Sequence, residues 1–307
     1  MSQRDVKNRI SSVQNIRKIT RAMEMVAAAR LRRAEQRIER LRPYAAAIRR
    51  MTRQAAEAAG AEISSLPILQ EHDSVDKVGI LLVTGDRGLA GAFNSQILRA
   101  GLRAAAEHEG EGRSVVFYAS GRRGTSSLGF RGREVAGSYV GFTDRPGYAN
   151  AREIAEDLMA AYVDGEIDRV EVFYNGYVSA LTQEVRRETL LPLQDATVLE
   201  GGEHDVDKQD EDDEEHHEGE AHALVEYEPD PAEILQRLVP DYVEISIFRA
   251  LLESTASEHG ARMTAMRNAS ENAAEVIDDL TLEMNRARQA EITQEIMEVV
   301  AGAEALS

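Results

Sequence analysis

The C-terminal stretch, residues 241–302, places the strongest constraint on how this chain can fold. It contains no proline and one internal glycine, Gly260, and its apolar residues recur at helical spacings among good helix formers. These apolar positions are Ile245, Leu252, Met263, Met266, Ile277, Leu280, Met284 and Ile296. At 1.5 Å per residue, such a helix would reach roughly 90 Å, about three times the width of a small domain. Because no core of its own chain can bury it completely, we expect it to need partners.

A second long helix is predicted near the other end of the chain, from Gln3 to Ala59. Its apolar residues are Val6, Ile10, Val13, Ile16, Ile19 and Met23, followed by Leu31, Ala34, Ile38, Leu41, Ala45 and Ile48. The second set alternates spacings of three and four residues, which is typical of the seam of a coiled coil. Pro43 should bend this helix without ending it, because the pattern resumes afterwards.

The net charge of -18 is distributed very unevenly. Residues 1–59 carry 15 Lys and Arg against 5 acidic residues, whereas residues 230–307 carry 6 Arg against 15 acidic residues. Opposite charge favours the pairing of the two long helices, which is most simply an antiparallel coiled coil closed by the middle of the chain. The basic segment lacks interleaved aromatic residues and zinc-finger or basic-zipper patterns, so nucleic acid is not the expected partner.

The chain contains no cysteine, which excludes disulfides and thiolate metal sites. No apolar run approaches the roughly 20 residues needed to span a bilayer, and the first residues lack the apolar core of a secretion signal. The composition therefore predicts a soluble cytoplasmic protein.

Residues 76–195 have the pattern of a small α/β domain. An apolar run at 78–84 ends in a glycine turn and is followed by a helical pattern at 90–107 and a second apolar run at 115–118, which together predict a βαβ unit. A helix is predicted at 148–163, with strands at 170–174 and 183–190. We therefore expect a layered domain with a partly parallel sheet.

An acidic segment, residues 200–226, carries 13 acidic residues and one lysine. Self-repulsion and the absence of apolar residues at its centre favour a solvated mobile loop. A metal site is the alternative, but spacing in such a run cannot preorganise coordination geometry. Its candidate ligands are His204, His216, His217 and His222.

The predicted fold class is α+α/β, a long antiparallel coiled coil of the N- and C-terminal helices with an inserted Rossmann-like α/β domain. The predicted divisions are an N-terminal coiled-coil helix (1–59), the α/β domain (60–199), the acidic mobile loop (200–226), and a linker with the C-terminal coiled-coil helix (227–307).

The glycine-rich turn at residues 84–91 could present backbone N–H groups to a phosphate. It lacks the lysine ending of a Walker loop and the three-glycine dinucleotide spacing, so a structural turn is favoured. No serine elbow, HExxH motif or cysteine nucleophile is present, and neither catalysis nor a cofactor is expected. Two hypotheses about function remain open at this point. The chain could be a nucleotide-binding α/β enzyme with helical arms, or it could be a coiled-coil scaffold.

Several segments of the sequence resemble the gamma subunit of rotary F-type ATP synthases. They are SSVQNIRKITRAMEMVAA (11–28), TGDRGL (84–89), YEPDP (227–231), ASEHGARM (256–263) and NRARQAEITQE (285–295). The resemblance covers nearly the whole chain and keeps the family order. Gly85 and Ala90 stand where the family loop commonly has Ser and Cys, and the acidic segment replaces a shorter variable loop.

The resemblance implies a non-catalytic central-stalk rotor that couples rotation of the c-ring to ATP synthesis at the beta subunits. Its implied partners are three alpha and three beta subunits around one copy, the epsilon subunit and the c-ring, with the membrane reached only through the c-ring. The implied location is the cytoplasmic face of a bacterial cell membrane.

The resemblance also assigns contact residues. Contacts with beta subunits would be made by Met23, Arg30, Arg33, Arg262, Arg288, Gln289, Thr293 and Glu295, and contacts with the c-ring by Tyr227 and Glu228. Arg288 and Gln289 match a polar catch on a beta loop, and Met23 and Arg262 match a pair near an acidic beta lever.

Overall fold

The structure, a computed structural model, describes residues 3–59, 68, 72, 74–180, 182–192 and 231–305. Its helices are α1 (Gln3–Ala59), α2 (Phe93–Gly110), α3 (Arg122–Phe130), α4 (Tyr148–Val163) and α5 (Pro231–Ala305). Its strands are β1 (Lys77–Val83), β2 (Ser114–Ser120), β3 (Val135–Tyr139), β4 (Arg169–Tyr177) and β5 (Gln183–Leu191). The predicted acidic loop, its four histidines, Tyr227 and Glu228 lie outside the described residues.

The five strands form one sheet in the order β3-β2-β1-β4-β5. The first four strands in this order are mutually parallel, and β5 runs antiparallel to β4. β1 is central and buried on both faces, which explains its nearly continuous apolar sequence. Helices α2 and α3 pack on one face of the sheet, and α4 and α5 pack on the other.

Helices α1 and α5 pair in antiparallel fashion, since residues early in α1 lie beside residues late in α5. Val13 shares a groove with Val276 and Leu280, and Glu24 forms an ion pair with Arg267. Farther along α1, Leu31 and Ala34 form one apolar cluster with Ala256. The two terminal segments of the chain therefore form a long helix pair with the α/β domain attached to one part of it.

The exposure of α1 shows which residues of its apolar pattern lie against other parts of the chain. Ile16 and Ile19 belong to the early part of that pattern, but they are 53% and 59% exposed. The described buried positions of α1 are Val6, Thr20, Ala27, Leu31, Ala34, Ile48, Thr52 and Ala55. All of them except Leu31 and Thr52 recur at intervals of seven or fourteen residues, and those two lie 21 residues apart on the second position of the same repeat. The seven-residue repeat of the predicted seam thus extends back through Thr20 and Ala27 to Val6.

Several element bounds also differ from expectation. α5 begins at Pro231 and passes through Pro240, so it has 75 residues and starts ten residues before the predicted start. By contrast, α1 continues through Pro43 without ending, as predicted. Helix α3 and strand β3 had not been predicted, because they are short and their apolar pattern is weak.

Candidate functional site

The α/β domain meets the helix pair along the carboxyl edge of its parallel strands, at a contact we call the joint. The joint comprises residues 254–262 of α5 and the loops that follow β1 and β3, together with the end of β4. Three hydroxyl groups of α5 donate hydrogen bonds to backbone carbonyls there. These bonds join Ser254 Oγ to Val83 O (3.3 Å), Thr255 Oγ1 to Thr143 O (2.9 Å) and Ser257 Oγ to Asn175 O (3.0 Å).

An ion pair lies beside these bonds, one turn farther along α5. The side chains of Glu258 and Arg262 are 2% and 11% exposed and form an i, i+4 pair. Arg262 Nη2 also donates to Gly88 O at 3.3 Å, which ties α5 to the glycine-rich loop. A Cβ atom at Gly85 would lie 2.8 Å from the Glu258 carboxyl group, so a larger residue there would force the Glu258 side chain or the loop to shift. Burial raises the pKa of Glu258, although Arg262 opposes the shift.

His259 lies within the joint and is 1% exposed. Its Nδ1 atom accepts a hydrogen bond from Arg262 Nη1 at 3.3 Å. Burial, together with the charge of Arg262, lowers the pKa of His259 to about 4. His259 is therefore neutral at physiological pH, which is consistent with its role as an acceptor.

Asp86 organises the loops on the domain side of the joint. Its carboxylate accepts hydrogen bonds from the backbone N–H groups of Arg122, Gly141 and Thr143 at 3.0, 2.9 and 3.2 Å. Burial alone would raise the pKa of Asp86, but these hydrogen bonds hold it below its ordinary value. A charged carboxylate with several donors fixes the relative positions of the loops after β1, β2 and β3.

Helix α1 reaches the same loops through Arg30. Its Nη1 atom donates to Asp144 Oδ2 at 2.9 Å, and Arg87 lies 3.5 Å from the same carboxylate oxygen. Both long helices are thus bonded to the domain at its carboxyl edge. Arg30 was predicted to contact a beta subunit; the structure gives it an intramolecular partner and leaves 41% of its side chain exposed.

The joint occupies the position where open α/β sheets usually bind ligands, the crevice at the carboxyl ends of strands whose connections diverge. In this sheet the crevice lies between β1 and β4, and α5 fills it by bonding both strands. The Gly85 N–H donates to Asn94 Oδ1 at 2.8 Å, and the Asp86 N–H donates to Thr143 Oγ1 at 2.9 Å. An anion at Gly85 would meet the Glu258 carboxylate, so the glycine-rich loop here is a structural turn.

The far end of α5 has no counterpart in the described part of α1. Every residue from 288 to 301 is exposed, and we call this stretch the free end. It holds Arg288, Gln289, Thr293 and Glu295, the four predicted beta contacts in this part of the chain. Thr293 Oγ1 donates to Gln289 O at 2.9 Å, a bond within the helix itself. The free end also exposes Ile292, Ile296, Met297, Val299 and Val300.

The other predicted beta contacts lie on α1 and within the joint. Met23 is half-buried, and Arg33 is exposed on α1. Arg262 lies within the joint, where its guanidinium group bonds to residues of this chain. The structure therefore does not place all the predicted beta contacts on one open surface.

The hydroxyl residues of the joint were missed by sequence reasoning. Their only signal in the sequence was a group of small hydroxyl residues, Ser254, Thr255 and Ser257, close together in a predicted helix. Their acceptors lie roughly 80 to 170 positions away in the sequence, so no local pattern identifies them.

Two further searches concern only the described residues. Among them, no cluster of His, Cys, Asp or Glu has the composition of a metal site. None of their helices combines the length and apolar character needed to cross a membrane.

Two very long antiparallel helices that hold a small α/β domain at one edge and leave a helix end exposed define a stalk-like subunit. The family model described as ATP synthase matches residues 2–306. The ATP synthase gamma chain of Rubrobacter xylanophilus is 42% identical over 310 residues, covering 100% of this chain and 99% of the relative. That of Moorella thermoacetica is 44% identical over 303 residues, covering 99% and 98%. The chain belongs to the ATP synthase gamma-chain family.

Solved structures agree in fold. A chain of the Euglena gracilis mitochondrial ATP synthase, determined with its OSCP, F1 and c-ring parts, has a TM-score of 0.66 and 16% identity, covering 99% of this chain and 94% of that chain. A chain of the Tetrahymena thermophila central stalk and c-ring has a TM-score of 0.56 and 24% identity, covering 82% and 99%. At these identities, the two structures support the fold alone.

Proposed function

We propose that this chain is the central-stalk rotor of a proton-translocating F-type ATP synthase. It couples rotation of the c-ring to conformational change and ATP synthesis at the catalytic sites of the beta subunits. The observation that carries the proposal is full-length similarity to gamma chains, in a fold whose longest helix extends beyond its partner. The chain transmits torque, and the ATP chemistry takes place on the beta subunits without a cofactor on this chain.

The proposed assembly places one copy of the chain within a ring of three alpha and three beta subunits. The helix pair acts as an antiparallel coiled coil whose free end projects into the ring. The Rossmann-like domain stands on the c-ring beside the epsilon subunit, at the cytoplasmic face of the cell membrane, and meets the membrane only through the c-ring. The proposal keeps the domain boundaries predicted from the sequence, which fall after residues 59, 199 and 226.

An asymmetric shaft can impose different states on three otherwise equivalent subunits, because each subunit meets a different side of it. A conformational equilibrium shifts only as far as the shaft's contacts differ in free energy between the states. Rotation would then present each contact surface to the three beta subunits in turn.

The free end supplies polar and apolar groups for such contacts. Arg288 and Gln289 can donate hydrogen bonds to a beta loop, with Thr293 and Glu295 on the next turns of the helix. The exposed apolar residues between them would form a bearing surface, which tolerates rotation because dispersion and hydrophobic contacts are not directional.

The outer face of α1 provides a second set of contacts. Arg30 and Arg33 would face acidic levers of the beta subunits through long-range attraction, which allows a rotating surface to slide. Met23 lies in the same part of α1 as the exposed Ile16, Ile19 and Val26. Tyr227 and Glu228 would contact the c-ring loops.

Alanine at both Arg288 and Gln289 tests this proposal. Both side chains are exposed, so the double variant should fold and assemble normally, while ATP turnover of the assembled complex falls several-fold because the catch is lost. Turnover is measured on complexes purified with alpha and beta subunits. The matched control is Arg286→Ala, an exposed arginine two residues earlier on the same helix. Unchanged turnover in a fully assembled double variant would count against the assignment.

Co-purification from native membranes tests the partner set independently. The rotor proposal expects alpha, beta and this chain in the 3:3:1 proportion implied by the family resemblance. A nucleotide-binding enzyme would instead bind a nucleotide stoichiometrically as the isolated chain. A flat calorimetric titration with ATP would exclude that alternative.

A further inference from the structure

The joint contains polar bonds in addition to the apolar packing that already attaches the domain to α5. The central strands, α4 and α5 already share a continuous apolar core on one face of the sheet. Three buried hydroxyl bonds and the bond from Arg262 to Gly88 O join α5 to the domain at the carboxyl edge, where the Glu258–Arg262 ion pair within α5 holds the Arg262 side chain in place. Apolar packing is non-directional, whereas hydrogen bonds fix orientation.

Free-energy magnitudes favour a geometric role for the ion pair. The desolvation cost of a buried ion pair can match or exceed its Coulomb attraction, so the Glu258–Arg262 pair is not expected to add much net stability. The pair does fix distances, because Arg262 also bonds Gly88 O and the Glu258 carboxyl group occupies the space that a side chain at position 85 would need. Both residues therefore hold residues 84–91 at a defined position on α5.

We propose that Glu258 and Arg262 are positioning residues that lock the α/β domain to the helix pair, so that torque entering through the domain reaches the shaft without slack. The inference rests on the proposed rotor function. Arg262 acts on the beta subunits through this intramolecular clamp, not by touching them. Arg30 and Asp144 form a second, more exposed lock between the domain and α1.

Thermal angular fluctuation of the rotor measures the stiffness of this lock. The complex of this chain with alpha and beta subunits is fixed to a surface, and a bead is attached through one introduced cysteine. Because this chain has no native cysteine, each label is unique within it. One label replaces Phe130, which lies on the domain and is 94% exposed, and the other replaces Arg40, which is exposed on α1.

Glu258→Gln releases the Arg262 side chain and should increase the angular variance of the bead on the domain by about twofold, the change expected if the Arg262–Gly88 bond and the hydroxyl bonds act as comparable parallel springs. The bead on α1 should keep its variance, because the helix pair is unchanged. Asp144→Asn gives the same test at a partly exposed site with less risk to folding. Arg267→Gln, which removes an ion pair of the helix pair away from the joint, is the matched control and should change neither bead.

Equal variance for both beads in Glu258→Gln and Asp144→Asn would overturn the inference while leaving the rotor proposal intact. An increase for both beads would also overturn it, because the softening would then lie in the helix pair. If the unsubstituted chain forms no complex with alpha and beta, or its bead never rotates with ATP, the proposed function itself fails.

Discussion

Two stretches of α5 invert the usual relation between polarity and burial. All residues from 250 to 260 are buried, although the stretch includes Glu253, Ser254, Thr255, Ser257, Glu258 and His259. All residues from 288 to 301 are exposed, although they include five large aliphatic or methionine side chains. A single continuous helix therefore buries six polar side chains in one stretch and exposes five large apolar side chains in another.

The difference shows which contacts the chain makes by itself. In the buried stretch, the sheet edge supplies carbonyls and loop groups that satisfy the polar side chains, as buried polar groups require. At the free end, no described residue covers the apolar side chains, and an exposed apolar surface of this kind is typical of a site for partner proteins. The first stretch holds this chain together, and the second is available for another chain.

The largest expected effect comes from a matched pair of substitutions on α5. Ile247 is 0% exposed and Ile296 is 57% exposed. Ile247→Ala should lower the free energy of unfolding by about 3 kcal/mol, because it removes buried methylene groups and leaves a cavity. Ile296→Ala should change it by less than about 0.5 kcal/mol. Urea denaturation of the full chain, followed by circular dichroism, measures both.

Equal losses in the two variants would break the comparison, since they would mean that the isolated chain also buries the free end. A change of the denaturant slope in only one variant would point to altered compactness instead of altered packing. In the assembled complex, Ile296→Ala should have the larger effect of the two substitutions, because Ile296 would then face the ring.

The second prediction concerns pH and applies to the buried stretch alone. His259 has a folded pKa of about 4 against an ordinary value of 6.5, so unfolding allows it to bind a proton that the folded joint disfavours. Its stabilising contribution is complete above about pH 6.5 and is lost as the pH falls toward 4. The full loss corresponds to about 3 kcal/mol.

Comparison with His259→Gln isolates this effect. Glu258, whose folded pKa is raised, opposes the trend, because the folded state increasingly favours its protonated form as the pH falls. Asp144, Arg30 and Arg262 also face His259 and remain in both chains. Urea midpoints between pH 7 and 4.5 should fall more steeply in the unsubstituted chain than in the variant. Parallel curves would show that His259 is not a buried neutral group.

The sequence predicted the two long helices and the α/β layers because these depend on local periodicity and length, whereas the contacts assigned within residues 288–295 came from the family resemblance. Its apolar pattern for α1 also included Ile16 and Ile19, because large apolar side chains are the usual signal for burial, but these two residues are exposed. The pairing register with α5 instead buries Thr20 and Ala27, and that register is set by the whole length of the helix pair.

The joint could not be predicted for a different reason. Gly85 and Glu258 are 173 positions apart in the sequence, and neither residue alone signals the other. A glycine turn after a strand suggests a phosphate site, and only the tertiary structure shows that a carboxylate of the same chain occupies the space. The contact residues at Tyr227 and Glu228 remain predictions.

The smallest expected effect separates charge from packing within the helix pair itself. Arg267 Nε lies 3.0 Å from Glu24 Oε1, joining the basic helix to the acidic one, and the Arg267 side chain is 47% exposed. Exposed ion pairs contribute no more than about 1 kcal/mol, so Arg267→Ala should shift the urea midpoint far less than Ile247→Ala. The remaining shift should shrink in 1 M salt, where the Debye length is about 3 Å.

Opposite net charge on the two helices would then select the partner and its orientation, while the buried seam residues, including Leu31 and Ala34, hold the pair together. A loss for Arg267→Ala as large as that for Ile247→Ala, and unchanged in 1 M salt, would contradict this division. It would mean that the ion pair is effectively desolvated. The charged faces of α1 and α5 would then help to hold the helix pair together, as the polar groups of the joint help to hold the domain to α5.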